Sequence, residues 1–190
     1  EVISFVAIID TISTKAHIAT KYNLSKPVID SSKESSFINV QGLRHILIEA
    51  ILEDELYVTN DITLDNQQLG ILLYGTNAVG KTSLIRAIGV CIIMAQSGFY
   101  VPCSRFVYRP YKSIFSRILG NDNLFKGLST FAVEMIELRN ILKLSNSKSI
   151  ILGDEVCSGT ESTSALSIFT AAINYLTNKK CSFIFATHFH

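Results

Sequence analysis

Along the first stretch of the chain, apolar residues recur at Val2, Phe5, Val6, Ile9, Ile12, Ala16 and Ala19, the spacing of one helical face. The stripe ends near Asn23, and Ser25-Lys26-Pro27 breaks it. Such a helix has too little beside it in sequence to pack against, which assigns it to a neighbouring domain. Residues 28–36, with the run Asp30-Ser31-Ser32-Lys33-Glu34-Ser35-Ser36, read as a loop or linker. The pattern therefore divides the chain into residues 1–36, helix and linker, and residues 37–190, a second domain.

In that second part, short apolar runs alternate with helical stripes. Phe37-Ile38-Asn39-Val40 is strand-like, and Leu43 to Leu52 is ambiguous, with helical spacing at Leu43, Ile46, Leu47 and Ala50. Tyr57 to Leu64 alternates as a strand does, and Asp65-Asn66-Gln67-Gln68 turns it into the buried run Ile71-Leu72-Leu73-Tyr74. Leu84 to Met94 reads as a core helix that Ser97-Gly98 and Pro102 end. Ser113 to Leu119 predicts a strand, followed by the polar loop Gly120-Asn121-Asp122-Asn123. Phe131, Met135, Leu138 and Leu142 then form a helical stripe with Ser129 as its N-cap. Ser149 to Gly153 is a buried strand, Ser158-Gly159-Thr160 a loop, Thr163 to Leu176 a helix, and Cys181 to Ala186 another buried strand. Strands alternating with helices predict an α/β domain with a mixed, mostly parallel sheet, Tyr57–Leu64 being its antiparallel entry.

Composition narrows this picture. At 190 residues with 48% apolar content, the chain can bury one good core. The formal net charge of +1 gives no electrostatic case for nucleic-acid binding by the chain as a whole. Locally, residues 99–112 interleave Phe99, Tyr100, Phe106, Tyr108 and Tyr111 with Arg105, Arg109 and Lys112. Such a segment either stacks single-stranded bases or simply connects and covers a sheet. The four cysteines, Cys91, Cys103, Cys157 and Cys181, form no CxxC pair, which favours a reducing compartment over a disulfide framework or zinc knuckle. No uninterrupted apolar run of about 18 residues occurs, so a membrane partner is not expected. The chain starts at Glu1 and stops at His190 directly after a strand-like run, and both ends are expected to be cuts in something longer.

The chemistry concentrates in Gly75-Thr76-Asn77-Ala78-Val79-Gly80-Lys81-Thr82-Ser83, the pattern GxxxxGK[ST] between a strand and a helix. Gly75 and Gly80 let the backbone curl so that successive N–H groups face an anion. The helix that follows adds unpaired donors and partial positive charge. Lys81 is placed to reach the outer phosphates, and the Thr82 hydroxyl to ligate Mg²⁺. The strand Ser149–Gly153 then closes on Asp154-Glu155, a carboxylate for Mg²⁺ and a general base for water. Ligands of α/β sheets sit at this C-terminal edge. Thr187-His188 ends a third strand there, within reach of a γ-phosphate. A metal pair of His188 and His190 lacks a third ligand and is discounted. The guanine-reading NKxD motif is absent, since Asn178-Lys179-Lys180-Cys181 lacks the aspartate. Phosphate loop, Asp-Glu strand and Thr-His strand fit an ABC-type ATPase.

Several blocks in order make the chain similar to the MutS mismatch-repair ATPases. Leu43-Arg44-His45 with Glu49 resembles the family's "LRHP.IE", and Tyr57-Val58-Thr59-Asn60-Asp61 its "F(V/I)xND". GTNAVGKTS stands for GPNMGGKST, and Met94 to Pro102 matches "MAQIGSYVPA". Ile114 to Ile118 and Ser129 to Met135 resemble "IFTRIG" and "STFMVEM". Asp154-Glu155 with Gly159-Thr160 resembles "DELGRGTST", and Phe185-Ala186-Thr187-His188 resembles "FATHY".

The resemblance implies a P-loop NTPase fold, an ABC-type ATPase domain over residues 37–190, with residues 1–36 the end of a lever and core domain. It implies that Tyr57 and Val58 pack on adenine and that Gly75 and Asn77, Ala78, Val79, Gly80, Lys81, Thr82 and Ser83 cradle the triphosphate of ATP. Thr82 and Asp154 would hold Mg²⁺, with Glu155, His188 and Lys81 catalytic. Ser129, with Thr130, would reach the nucleotide of a second MutS-like subunit across a dimer interface. Mismatched double-stranded DNA would be held by domains outside this stretch. Val79 in place of glycine, Cys157-Ser158 in place of Gly-Arg and Glu161 in place of serine mark a divergent member. A clamp acting on recombination intermediates, and a nucleotide-binding interaction module with little hydrolysis, are the alternatives.

Overall fold

The computed structural model describes residues 2–51, 57–76, 79–117, 130–154, 156 and 161–187, with backbone only at Thr130 and Ser162. The elements run α1 (Val2–Lys21), β1 (Val28–Ile29), β2 (Phe37–Leu43), α2 (Ile46–Glu49), β3 (Asn60–Leu64), β4 (Gly70–Tyr74) and α3 (Lys81–Gln96). They continue through β5 (Arg105–Arg109), β6 (Ser113–Arg117), α4 (Thr130–Leu144), β7 (Ser149–Asp154), α5 (Ser162–Asn178) and β8 (Ser182–Thr187).

The near-continuous apolar runs become a parallel sheet of order β4-β8-β7-β6. All six residues of β7 and all six of β8 are buried, as strands covered on both faces must be. On one face lies α3, whose Ile85, Ile88 and Ile92 pack with Ile150, Leu152 and Ile184. On the other, Leu138 and Ile141 of α4 and Phe169, Ala172 and Leu176 of α5 pack with Ile151, Phe183 and Phe185.

The remaining strands build a second sheet, order β1-β5-β2-β3, antiparallel except where β1 joins β5. The alternation around Tyr57–Leu64 predicts an entry into the parallel sheet. Instead the strand starts at Asn60 and pairs with β2. The reason is a shared core: Ile38, Val40, Ile62, Leu64, Phe106 and Tyr108 all turn toward α3, which is held between the two sheets. Phe106 and Tyr108 are fully buried there and offer neither ring for base stacking; Arg105–Arg109, expected to connect and cover a sheet, is itself a strand of one, paired with β1 and β2. The ambiguous stretch after Leu43 resolves into the end of β2 and the single turn of α2. Val28–Ile29, expected within a linker, forms a short strand on β5.

Helix α1 has no buried residue. By length and composition it is apolar enough to cross a membrane, although its apolar run is not continuous. Asp10 and Lys15 interrupt it, and ionisable groups are costly in hydrocarbon. Its contacts with the rest of the fold include Lys15 Nζ, 3.4 Å from Gly98 O and 4.5 Å from the Phe99 ring centre.

Candidate functional site

Because β4, β7 and β8 run in register and in one direction, Tyr74 stands beside Thr187, and Ala186 beside Asp154. Their C-terminal ends therefore share one edge. From β4 the chain turns at Gly75 (φ 146°) and enters α3 through Gly80 (φ 92°). Both angles lie where side chains are disfavoured and glycine is not. Val79 lies outside that region, since the non-glycine residues with positive φ are Asn23 and Lys180 among those described. A β-branched side chain is thus accommodated in the loop without left-handed strain.

At the first turn of α3, Lys81 folds back so that Nζ donates to Gly75 O at 2.6 Å and to Thr76 O at 2.9 Å. An ammonium carries three donors, so the lysine braces the loop with two and retains one. Thr82 Oγ1 donates to Asp154 Oδ2 at 2.6 Å, joining the start of α3 to the end of β7. Asp154 is buried, a position a carboxylate tolerates only with such partners. Close packing fixes it further: a Cβ on Gly153 would collide with the Phe185 ring and with Val156. Hydroxyl and carboxylate oxygens together are the donor set that a hard divalent cation prefers. Among the described residues, no group of three or more His, Cys, Asp or Glu side chains forms a separate metal cluster.

In front of the loop lies a cleft of about 470 Å³. Val79, Gly80, Lys81 and Ser83 form its loop side, and Tyr57, Val58, Ile48 and Asn60 its far wall. Burial pushes the Tyr57 hydroxyl pKa up, and the nearby Glu49 carboxylate adds to the rise. The cleft is thus cationic at the loop and apolar at Tyr57 and Val58, a polarity suited to a molecule with a charged end and a flat apolar end.

The structure brings together Tyr57, Val58, Gly75, Val79, Gly80, Lys81, Thr82, Ser83 and Asp154. Asn77, Ala78, Ser129, Glu155 and His188 lie outside the described residues, as does His190, and Thr130 is described only as the first residue of α4. Five cleft residues went unassigned in the sequence: Ile48, Asn60, Leu73, Leu84 and Tyr74, the last 74% exposed at the lip. Tyr74 directly precedes the glycine-rich turn, and that adjacency was the available signal. Ile48 stands within the block that resembles "LRHP.IE", but the helical spacing there falls on Leu43, Ile46, Leu47 and Ala50 and passes it over.

A family model, MutS domain V, matches residues 71–190. The mitochondrial DNA mismatch repair protein mutS homolog of Sarcophyton glaucum is 40% identical over 191 residues, covering 99% of this chain and 19% of that protein. The DNA mismatch repair protein MutS of Thermotoga maritima is 37% identical over 189 residues, covering 100% of this chain and 23% of that protein. That of Clostridium tetani is 39% identical, covering 98% and 21%. The chain thus spans about a fifth of the length of the curated relatives it matches. With domain V matched over most of its length and related sequences along all of it, the chain belongs to the MutS family.

Proposed function

We propose that this chain is the ATP-binding and ATP-hydrolysing part of a MutS-like protein that binds mismatched DNA and works as a dimer. The observation that carries the reading is the meeting of Lys81 and Thr82, at the start of α3, with Asp154 at the end of β7. In this reading the fold is that of a P-loop NTPase of ABC type, with the ATPase unit starting near Phe37.

Tyr57 and Val58 hold the adenine, and Asn77 to Ser83 cradle the triphosphate with backbone N–H groups. To take the outer phosphates, Lys81 exchanges its two carbonyl partners for phosphate oxygens, a stronger charge-assisted contact. Thr82 and Asp154 would hold Mg²⁺, which would supply positive charge against the phosphates. Glu155 accepts a proton from the attacking water, and His188 orients that water against the γ-phosphate. Ser129, with Thr130 that opens α4, serves the nucleotide of the second subunit. Mismatched DNA is held by domains outside this stretch; the names of the relatives connect them with DNA mismatch repair. The free, buried Cys91, Cys103 and Cys181 suit a reducing compartment.

Steady-state ATPase measurements on the wild type and Glu155→Gln test this. The expected result is measurable Mg²⁺-dependent turnover that falls by about 100-fold or more in the variant, as loss of a general base does. Equal, near-zero rates in both would replace the enzyme reading with a nucleotide-binding interaction module.

A further inference from the structure

Arg44 joins three parts of the fold that meet behind the cleft. Its Nη1 donates to Glu49 Oε2 at 2.9 Å, and its Nη2 donates to Tyr22 O at 3.1 Å and Asn23 O at 2.7 Å. Tyr22 and Asn23 directly follow α1, where helix carbonyls lack partners and a cation is favoured. The backbone below is fixed as well, since Arg44 N donates to Pro102 O at 2.8 Å. The side chains of Arg44 and Glu49 are only 21% and 23% exposed, so the pair is screened less than a surface ion pair.

Glu49 is the last residue of α2, which has four residues and cannot hold its own position by helix formation. Two side chains anchor it. His45 Nδ1 accepts from Ile48 N at its start, and Arg44 grips Glu49 at its end. Between those anchors Ile48 projects into the cleft, and the Glu49 carboxylate is near enough to Tyr57 to raise its pKa.

We propose that Arg44 is a positioning residue of the cleft: by fixing Glu49, and with it the short α2, it sets where Ile48 stands on the wall that also carries Tyr57, and so tunes affinity for the base end of a nucleotide. This rests on the nucleotide-site reading above and adds that the base wall is held from behind by the end of α1. Phosphate binding at the Gly75–Ser83 loop is independent of it.

The test is titration of the intact chain with a fluorescent methylanthraniloyl-ATP, with inorganic triphosphate, which has no base, as competitor. Arg44→Ala is expected to weaken the labelled nucleotide about tenfold at unchanged binding amplitude, and to leave the competition constant of triphosphate as in the wild type. Glu49→Gln, which keeps the shape and loses the charge, weakens it less. Arg44→Lys falls between wild type and alanine, because one ammonium cannot reproduce the fork. Unchanged nucleotide affinity in Arg44→Ala overturns the proposal, and so does equal weakening of triphosphate. A fall in amplitude alone also overturns it, since that signals fewer folded molecules. If Arg44→Ala does not fold, Glu49→Gln carries the same comparison. A wild type that binds neither probe defeats the nucleotide reading itself, which is distinct from a wild type that binds and a variant that matches it.

Discussion

The two sheets share α3 between them yet differ in what their ends carry. In the parallel sheet, strand direction brings the loop after Tyr74, Asp154 and Thr187 to one edge. In the mixed sheet, β2 runs against both β3 and β5, so consecutive strand ends fall on opposite edges. It supplies walls and props instead: Asn60 at the start of β3, and α2 with Arg44 at the end of β2. Catalytic convergence in such folds follows from parallel strand direction, and the neighbouring sheet decides how firmly the cleft is shaped.

Paired core truncations break this comparison most severely. Phe185 in β8 and Phe106 in β5 are both buried, at 1% and 0% exposure. Each alanine substitution is expected to cost about 3–5 kcal/mol in urea unfolding. Only Phe185→Ala, which withdraws packing from Gly153 beside Asp154, is expected to weaken Mg²⁺-nucleotide binding by the folded fraction. Equal weakening by Phe106→Ala would erase the distinction between the sheets.

A smaller effect concerns the cap of α2. Burial pushes the His45 pKa below its usual value, and Arg86 adds to the depression. The neutral ring must accept from Ile48 N. A base with a depressed folded pKa binds fewer protons folded than unfolded, so its stabilisation is present above about pH 6.5 and declines as pH falls through that value. Urea midpoints from pH 8 to 5 should show this component, and His45→Asn, which caps without titrating, should remove it. An identical pH profile in both proteins would assign the dependence to other groups.

The chemistry of the edge was legible because the glycine-rich loop and Asp154 sit at strand ends whose apolar runs are nearly continuous. The helices α1, α4 and α5 were legible from their stripes, and α3 from the long apolar segment that follows the glycine-rich loop. The partition into two sheets was not, since alternation reports which face of a strand is buried and never which strand pairs with it. Phe106 and Tyr108 illustrate this: next to Arg105 and Arg109 they left a stacking surface open beside the favoured connecting segment, and only their position under α3 shows them to be core. Arg44 and Glu49 stood in a familiar block, but their role depends on Tyr22 O and Asn23 O, a contact across elements that no local pattern encodes.

The central claim is that the Gly75–Ser83 loop binds the phosphates of ATP through Lys81. Calorimetric titration of Mg²⁺-ATP into the wild type and Lys81→Ala tests it most directly. The account predicts a saturable isotherm for the wild type and no measurable binding for the variant, at a matching unfolding midpoint. A Lys81→Ala protein that binds as tightly as the wild type would contradict it.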